Sequence, residues 1–372
     1  MKKSLLIIST TNQDRDPRVI RQINFLKDEY ELWCCGLENS RVPKDRFLPI
    51  TINKSVLSRI PVLILRLFRA YRMLENYITR YKLKIDCPSV KFDFILANDL
   101  DSLPIAFKLF KSKNIYCDFH EYAPAEFEDK FSWRLLHRGF AIHQCKRYFP
   151  LLKNITTVCE GIATEYQKHF NRKPVVITNA ATYSNLQPME PAGSKIRLIH
   201  HGVAIRSRRI ELMIEVAKML DDRFSLDLML IPNDEKYFDE LKLQTENSGK
   251  INMIEPVSFN QIIPFSNKYD AGIFILPFTN FNYKFALPNK FFEFIQSRLA
   301  IITGPSPEMA DFINRYKLGY VTKSFKPSEI AKEINSITNE QIIKWKANSH
   351  NSARVLASEA NKTILLNLFK EI

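Results

Sequence analysis

The sequence predicts an α/β protein built from two doubly wound parallel sheets. Short apolar runs typical of buried strands alternate with amphipathic segments along nearly the whole chain. The alternation forms two series, separated at residues 180–194 by a stretch that contains Pro188, Pro191 and Gly193 and has no hydrophobic period. A chain of 372 residues is also too long for one ordinary core. We therefore expect two domains, with a linker at residues 180–194.

The first series covers residues 1–180. Its expected strands are residues 5–8, 31–35, 92–97, 115–118, 155–158 and 175–177. Expected helices include residues 17–27, with Asp16 as the N-cap and Pro17 in the first turn, and residues 103–111.

The second series covers residues 195–338. Its expected strands are residues 196–200, 226–231, 251–254, 272–276, 300–303 and 319–321, and its expected helices are residues 209–220, 235–246, 289–297 and 327–337. Residues 339–372 are strongly helical and form a third, C-terminal segment. Ligands of such sheets bind beyond the carboxyl ends of the strands, so two such domains that face each other make a cleft.

Composition is that of a soluble globular protein, with 45% apolar and 25% charged residues. The apolar run that starts the chain ends at Thr10 and is too short for a signal peptide, and no stretch has the length of a membrane span. None of the six cysteines forms a C-x-x-C pair, which favours reduced, buried thiols. They are Cys34, Cys35, Cys87, Cys117, Cys145 and Cys159. These features predict a cytoplasmic protein.

Positive charge is concentrated in the first half. Residues 1–180 hold 30 Lys and Arg against 19 Asp and Glu, whereas residues 181–372 hold 24 against 21. The excess is greatest in residues 54–84, where Arg59, Arg66, Arg69 and Arg72 have helical spacing among many apolar residues. This pattern predicts a helix on an anionic membrane surface, although a packed helix with a basic rim is the alternative. No zinc-finger, RNP or helix-turn-helix pattern accompanies the charge, so nucleic acid is not an expected partner.

The most specific motif is Ala-Leu-Pro-Asn-Lys-Phe-Phe-Glu-Phe-Ile at residues 286–295. Pro288 suits the start of a helix, where its missing N–H costs nothing. Helical spacing then places Asn289, Lys290 and Glu293 on one face. The free N–H groups of a helix start favour an anion, and Lys290 in the first turn is acceptable if a phosphate binds there. A buried amphipathic helix with a Lys–Glu surface pair is the alternative.

This segment resembles the nucleotide-sugar-binding helix of retaining GT-B glycosyltransferases, in the family 4-like (group 1) Pro-x-Lys-x-x-Glu subgroup. The resemblance implies two Rossmann-like domains that face each other across a cleft, with the acceptor in the N-terminal domain and a nucleoside-diphosphate sugar as donor. It implies that Glu293 binds the ribose and that the turn at Pro288, Asn289 and Lys290 receives the diphosphate. It also implies no cofactor or metal, and last helices that cross back to the first domain at about residues 349–360.

Further motifs of the second half match the same family. Gly202 follows the strand that contains His200 and His201, and Arg206 and Arg208 come just after. In the family a cation here neutralises the leaving diphosphate, and fixed cations stabilise such developing charge. Arg208 fits this role best and Arg206 second, while Glu308 matches another donor-site residue. The two histidines lack a third spaced metal ligand, so we predict no metal site.

In the first half, Asp118-Phe119-His120-Glu121 follows a strand and is similar to the Asp-x-His-Glu pattern of the family. There the histidine lies against the transferred sugar, so His120 is the leading catalytic candidate together with Arg208 and Lys290. A neutral imidazole would suit hydrogen bonds to sugar hydroxyls. Asp16, Arg18, Asp99 and Glu121 are acceptor-side candidates, with helix capping and turn formation as alternatives for the first three.

One position departs from the family pattern, because Phe285 stands where an upstream glutamate usually contacts the donor sugar. The resemblance otherwise implies a metal-independent hexosyltransferase that acts on a glycan or lipid-linked glycan acceptor of surface polysaccharide, lipopolysaccharide or capsule synthesis. A location on the inner membrane face follows from the basic segment. Two alternatives stay open: a nucleotide-sugar epimerase with the same fold, and a non-catalytic nucleotide-binding scaffold at the membrane.

Overall fold

The computed structural model describes residues 2–86, 90–110, 112, 114–191, 193, 195–246 and 248–370. The chain divides into two compact units. The first comprises the described residues of Met1–Thr178, Asn280–Asn282 and Lys362–Ile372. The second comprises the described residues of Asn179–Thr279 and Tyr283–Asn361.

The first unit is built on a twisted sheet whose described strands run in the order β4-β3-β2-β1-β5-β6-β7-β8. They are β1 (Ser4–Ile8), β2 (Glu31–Gly36), β3 (Phe47–Ile52), β4 (Leu83–Ile85), β5 (Phe94–Asn98), β6 (Ile115–Phe119), β7 (Ile155–Thr157) and β8 (Val175–Val176). Neighbouring strands are parallel except β3 and β4, which are antiparallel. The chain winds outward from β1 in both directions, so this is a doubly wound sheet.

Helices connect these strands. They are α1 (Pro17–Leu26), α2 (Arg59–Leu67), α3 (Tyr71–Tyr77), α4 (Asp99–Leu109), α5 (Phe131–Leu136), α6 (Arg138–Tyr148) and α7 (Glu160–Phe170). Asp16 caps α1 as predicted, since its carboxylate accepts from the N–H groups of Arg18 and Val19. The core of the unit contains Leu5 and Ile7 of β1, Val19 and Ile23 of α1, and Leu96 of β5.

Two parts of the first unit differ from the predictions. Strand β3 was missed because Pro49 interrupts it and only its alternate residues, Leu48 and Ile50, are buried, so it has no continuous apolar run. The basic segment is not one helix. Helix α2 ends at Leu67, Arg69 has a left-handed φ of 53°, α3 follows, and a π-helical turn covers Ile78–Lys82. The prediction of one continuous arginine face was therefore wrong.

The second unit has a sheet whose described strands are all parallel and run in the order β11-β10-β9-β12-β13-β14. They are β9 (Ile196–Ala204), β10 (Phe224–Pro232), β11 (Ile251–Ile254), β12 (Ala271–Phe274), β13 (Ala300–Thr303) and β14 (Gly319–Val321). The remaining helices of the chain are α8 (Glu211–Met219), α9 (Glu235–Thr245), α10 (Ile262–Ser266), α11 (Phe281–Lys284), α12 (Asn289–Gln296), α13 (Pro307–Tyr316), α14 (Pro327–Asn335), α15 (Asn339–Ser352) and α16 (Ser358–Lys370). The predicted α/β class with two doubly wound sheets is confirmed.

The last helix contributes to the first unit. Leu365, Leu368 and Phe369 of α16 pack in the core that surrounds β1, and the ring of Phe369 lies 4.5 Å from that of Tyr116. Helix α15 belongs to the second unit, as do the described residues between Asn179 and Pro191.

The sequence also led us to expect buried, reduced cysteines and no membrane-spanning stretch. Cys34, Cys35, Cys117, Cys145 and Cys159 are buried free thiols, while Cys87 lies outside the described residues. In the described part of the chain, no helix combines the length and the apolar character needed to cross a bilayer.

Candidate functional site

The motif at residues 286–295 forms a buried helix start in the second unit. Pro288 has extended geometry (φ −79°, ψ 163°), and α12 begins directly after it at Asn289. Seven of the eight residues of α12, all but Asn289, are buried, so the helix is held in place by packing on both sides. Asn179 donates a hydrogen bond to the carbonyl of Leu287 at 3.2 Å, which holds the turn before the helix. The first turn of α12 is therefore a fixed platform.

Lys290 is a buried cation with a neutral partner. Its side chain lies over the ring of Phe274, 4.4 Å from the centroid, and Nζ lies 3.4 Å from Nε2 of His200. Nδ1 of His200 lies 2.9 Å from the carbonyl of Ile273, so this nitrogen carries the hydrogen and Nε2 is the acceptor that faces Lys290. Burial and Lys290 hold the pKa of His200 well below its ordinary value, so the ring is neutral.

Gly202 brings a second cation close to Lys290. It has a φ of 137°, and a Cβ atom placed there would lie 2.9 Å from Nζ of Lys290 and 4.0 Å from Nη1 of Arg208. A side chain at this position would thus fill the space where the two cations converge. Among the described residues, no carboxylate forms an ion pair with Lys290 or Arg208. Burial and Arg208 hold the pKa of Lys290 well below its ordinary value.

Arg206 and Arg208 have different surroundings although both belong to the same short turn. Nη1 of Arg206 pairs with the Glu240 carboxylate at 2.8 Å, and the Arg206 side chain is half exposed. Nη1 of Arg208 instead donates to the carbonyl of Val203 at 3.3 Å and remains near Gly202. Arg208 therefore lies near Lys290, whereas Glu240 compensates the charge of Arg206.

Glu293 lies one turn beyond Asn289 and is also buried. Its carboxylate is 3.5 Å from Nε2 of His201, whose pKa burial and Lys290 lower to about 3. His201 is therefore neutral at pH 7 and does not form a true ion pair with Glu293. Glu308 lies in the first turn of α13, which follows β13. Phe285, at the position of the expected upstream glutamate, lies under the ammonium of Lys284.

In the first unit, Asp118 at the end of β6 is the centre of a buried network. Arg18 donates to both carboxylate oxygens through Nε at 2.5 Å and Nη2 at 2.7 Å, and Gln22 and Thr156 donate as well. Burial alone would raise the pKa of Asp118, but Arg18 and His120 hold it well below its usual range. Arg18 also donates to the carbonyl of Ile177 at 2.8 Å. Its guanidinium is buried in this network, and Arg18 stays an acceptor-side prediction.

His120 lies between two carboxylates. Nδ1 is 3.1 Å from Asp99 and Nε2 is 3.6 Å from Asp118, with the amide oxygen of Asn98 at 3.3 Å from Nε2. Burial opposes the charge of the ring, but Asp99 and Asp118 outweigh it and raise the pKa of His120 to about 9. The expectation of a neutral imidazole was wrong, because the sequence did not show that two carboxylates flank the ring. His120 is an imidazolium at neutral pH.

Asp99 has a conformation that is rare for residues other than glycine, with φ of 60°. One carboxylate oxygen accepts from the backbone N–H of His120 at 2.8 Å, and the other faces the ring of His120. Asp16 lies nearby in the chain but its carboxylate is occupied as the cap of α1 and accepts from Thr11. Of Asp16 and Asp99, only Asp99 therefore has the backbone strain that is often found at functional sites.

Asp99 and His120 line a cavity of about 670 Å³ within the first unit. Its walls include the carboxylates Asp99, Asp101, Glu121 and Glu126 and the aromatic rings of Phe127 and Trp133. The position of Glu126 in the wall, together with the charges of Glu121, Asp101 and Asp99, raises the pKa of Glu126 to about 8. Carboxylates that accept from hydroxyl groups, together with aromatic rings, suit a carbohydrate.

The sequence analysis missed several residues of these sites. Asp118 was part of the quoted motif but received no role, and the neutral partner His200 was considered only as a metal ligand. Glu126 and Trp133 belong to no motif of the sequence, and only the fold brings them to the cavity. Within the described parts of the chain, no cluster of three or more His, Cys, Asp or Glu side chains has the geometry of a metal site.

Comparison with known proteins identifies the fold. No protein-family model matches the chain, and no curated protein matches it. Solved structures do match. Anabaena HepE in complex with UDP and glucose superposes with a TM-score of 0.68 at 10% identity over 100% of both chains. The chain has the GT-B fold.

Two other structures agree. An α,α-trehalose-phosphate synthase (UDP-forming) from Burkholderia vietnamiensis matches with a TM-score of 0.65 at 10% identity, covering 99% of this chain and 100% of the synthase. A variant of S. aureus TarM in complex with fondaparinux, alpha-GlcNAc-glycerol and UDP matches with a TM-score of 0.59 at 13% identity, covering 74% of this chain. The match covers 55% of TarM, so the chain spans about half of the length of that protein. At such identities the likeness concerns the fold.

Proposed function

We propose that this GT-B protein is a retaining, metal-independent glycosyltransferase that moves a hexose from a nucleoside-diphosphate sugar to a glycan acceptor. The observation that carries the proposal is the convergence of Lys290 and Arg208 beside Gly202, without an ion-paired carboxylate among the described residues. Two such cations in front of a helix start are the chemical complement of a diphosphate.

The donor chemistry follows from these groups. As the sugar C1–O bond to the diphosphate breaks, negative charge grows on the leaving oxygen, and Lys290 and Arg208 stabilise it. The C1–O bond to the acceptor hydroxyl forms on the same face, and the proton of that hydroxyl passes to the leaving phosphate. Asn289 and the N–H groups of the first turn of α12 hold the diphosphate, and Glu293 accepts hydrogen bonds from the ribose hydroxyls. HepE and TarM were solved with UDP, so UDP-sugars are the first donors to test.

The acceptor site is assigned to the cavity of the first unit. Asp99 and Glu121 accept hydrogen bonds from acceptor hydroxyls, and Trp133 packs against a sugar face. His120 has both ring nitrogens occupied by Asp99, Asp118 and Asn98, so we give it a positioning role: it orients the Asp99 carboxylate and adds positive charge to the cavity wall.

A panel of UDP- and GDP-sugars tests the proposal. We expect slow donor hydrolysis with the purified protein, and transfer once an acceptor is present, both lost in Lys290→Met. Release of an epimerised donor without acceptor would instead indicate an epimerase. Tight nucleotide binding without any turnover would indicate a non-catalytic scaffold. An NMR spectrum of the first product reports whether the anomeric configuration is retained.

We further propose that the protein works at the inner face of the membrane, on a lipid-linked acceptor of surface polysaccharide synthesis. Support comes from an apolar surface on α2 and the loop before it, the α2 face, formed by Val56, Leu57, Ile60, Leu63, Ile64, Leu67 and Phe68. Val56, Leu57 and Phe68 are 71%, 76% and 81% exposed. Such exposed patches mark interaction surfaces. Arg59, Arg69 and Arg72 are exposed around it, which complements an anionic bilayer.

Vesicle sedimentation tests this location. We expect the protein to pellet with anionic but not neutral vesicles, less so at high salt, and the triple replacement of Arg59, Arg69 and Arg72 by Gln to abolish pelleting. Replacement of Arg41, Arg46 and Arg315 by Gln removes the same charge elsewhere and serves as the control. Equal loss in both triple variants, or no pelleting of the wild type, would contradict the assignment.

A further inference from the structure

The 670 Å³ cavity shares a wall with a second cavity in the first unit. The second has a volume of about 340 Å³ and lies below α2. The two have five lining residues in common: Thr10, Arg66, Asp101, Phe140 and Gln144. Arg66 is therefore accessible from both sides.

Arg66 is a cation that forms no ion pair with any carboxylate of the described residues. It lies in the last turn of α2, and its Nη1 is 2.9 and 2.6 Å from the two ring nitrogens of His137. Burial and Arg66 lower the pKa of His137 to about 4, so this partner is neutral at pH 7. Nε of Arg66 is buried and makes no hydrogen bond, and no ion pair joins Arg66 to any described carboxylate. The arginine therefore retains both its charge and hydrogen-bonding capacity.

Lys82 adds a second cation to the wall of the smaller cavity. It ends the π-helical turn that starts at Ile78, and no described carboxylate pairs with it. Burial and the charges of Arg66 and Arg59 lower the pKa of Lys82. Since like charges repel, the proximity of Arg66 and Lys82 has an electrostatic cost in the absence of an anion.

Acidic groups of the same wall do not cancel this charge. Glu75 is fully buried, but Arg147 at 2.6 Å and Lys108 at 3.5 Å already compensate it. Asp101 is the remaining carboxylate of the wall, and its charge acts on Arg66, but the two form no ion pair among the described residues. Counting Arg66, Lys82, Arg147 and Lys108 against Glu75 and Asp101, the surroundings of the cavity have an excess of two positive charges.

Most of the uncharged lining residues of the smaller cavity are apolar. Its lining includes Ile52, Val62, Ile78, Leu83, Pro104 and Phe140. Val62 belongs to α2, whose opposite side is the exposed α2 face. A ligand that fits both features has an anionic group and a hydrocarbon portion.

We propose that Arg66 and Lys82 bind the phosphate group of a phosphorylated acceptor, whose hydrocarbon portion lies against the apolar wall of the smaller cavity. Arg66 donates to the phosphate through its guanidinium N–H groups, while Lys82 acts as a point charge. The glycan portion then extends into the larger cavity. The identification of this ligand as the acceptor rests on the proposed transferase function, but the binding site itself does not.

Calorimetric titration with octyl phosphate, octyl glucoside and inorganic phosphate tests the site on the full chain. We expect octyl phosphate below its micellar concentration to bind, and the two other compounds, which each lack one recognition element, to bind at least tenfold more weakly. Inorganic phosphate that binds as tightly as octyl phosphate would overturn the role of the apolar wall. Octyl glucoside that binds as tightly would overturn the anion site.

Variants identify the residues. Arg66→Gln should weaken octyl phosphate binding at least tenfold and Lys82→Gln severalfold, whereas Arg66→Lys should recover part of the affinity. Arg46→Gln removes a surface arginine of the same unit that lines neither cavity, and should bind like the wild type. Unchanged binding in Arg66→Gln, with a melting temperature close to that of the wild type, would overturn the proposal. If Arg66→Gln fails to fold, Arg66→Lys takes its place, and binding by a folded Arg66→Lys that equals that of the wild type overturns the assignment to Arg66.

Two further experiments distinguish this site from the membrane surface and from the donor site. Vesicles with anionic lipid should compete with octyl phosphate in the wild type if the phosphate of a lipid headgroup reaches the site, and should not compete if the ligand is a soluble phosphate ester. Lys290→Met should bind octyl phosphate like the wild type, because Lys290 lines neither cavity. Octyl phosphate binding that depends on Arg66 supports the site even if no nucleotide sugar is turned over, an outcome that would overturn only the proposed transferase function.

Discussion

Two buried cations, Arg18 in the first unit and Lys290 in the second, come from comparable sequence motifs but have opposite surroundings. Arg18 has a carboxylate of the protein, Asp118, on two of its nitrogens. Lys290 contacts a neutral histidine and an aromatic ring, with Arg208 as a like-charged neighbour, and the charge of Glu293 acts on it without an ion pair among the described residues. A buried charge that the protein itself compensates holds the fold together, whereas one that it leaves uncompensated is available to a ligand.

The largest expected effect is on stability, from Arg18→Met. This change leaves the Asp118 carboxylate buried without its main counter-charge, so the free energy of unfolding should fall by about 3–5 kcal/mol. Urea denaturation measures the change. Arg15→Met, at an exposed position just before α1, is the control and should stay within about 0.5 kcal/mol of the wild type. Adding Asp118→Asn to Arg18→Met should restore part of the lost unfolding free energy. If Arg18→Met alone is as stable as the wild type, the contrast drawn between Arg18 and Lys290 is wrong.

Lys290→Met should have the opposite effect to Arg18→Met: it should lower activity and leave stability unchanged. It removes a buried cation without a carboxylate partner, so the free energy of unfolding should not decrease. The value of kcat/KM for the donor should fall by about 10²–10³, because the charge that meets the diphosphate is lost. Denaturation and initial rates are the two measurements, with the exposed Lys268→Met as the control. A variant that is destabilised but still binds UDP would show that Lys290 is structural.

The pH dependence of the unfolding free energy tests whether Asp99 and Asp118 compensate the charge of His120. Its pKa of about 9 in the folded protein exceeds the ordinary value of about 6.5 in the unfolded chain, so its contribution is fully present below pH 6.5 and is lost as the pH rises through 9. The expected loss of unfolding free energy is on the order of 3 kcal/mol. Denaturation from pH 6 to pH 10 measures it.

Glu126, with a pKa of about 8, also loses its proton in this window. The pH series should therefore be run in the Glu126→Gln background, with and without His120→Gln. If the stability of the Glu126→Gln protein does not depend more steeply on pH than that of the double variant, His120 is not held as an imidazolium.

Arg208→Ala should act on the chemical step. The charge that Arg208 meets grows as the diphosphate leaves, so kcat should fall by about 10²-fold while the dissociation constant of UDP changes less. Arg206→Ala is the matched control, because that arginine is already paired with Glu240 on the surface. A larger loss of kcat in Arg206→Ala than in Arg208→Ala would reverse the assignment of the two.

The smallest expected effect is that of Glu293→Ala. Loss of hydrogen bonds to the ribose should lower kcat/KM by about 2 kcal/mol in transition-state free energy. A melting temperature close to that of the wild type is the control for folding. Comparison of UDP with uracil-containing ligands that lack the ribose hydroxyls measures the specific contribution; equal losses for both would exclude a ribose contact.

Much of the fold was predictable because its signals are local. Asp16 before Pro17 predicted the start of α1, and Pro288 before Asn289 predicted the start of α12, since caps and first-turn prolines act within a few residues. Strand β3 was not predictable in this way, because Pro49 and alternate exposure remove the apolar run that marks a buried strand. The break of the basic segment at Arg69 had no signal either, because it depends on a left-handed backbone at a residue that usually continues a helix.

The sequence by itself determined most of the strands and helices, the two doubly wound sheets, and which motifs follow the strand ends, because these depend on periodicity and on residues close in the chain. The tertiary structure alone decided which cations have counter-charges. Arg18 finds Asp118, 100 residues away, whereas Lys290 finds His200, 90 residues away. It also turned Arg66 from the expected surface into the wall of two cavities. A charge is compensated through space and not along the chain, so only the packed structure distinguishes a cation that supports the fold from one that awaits a ligand.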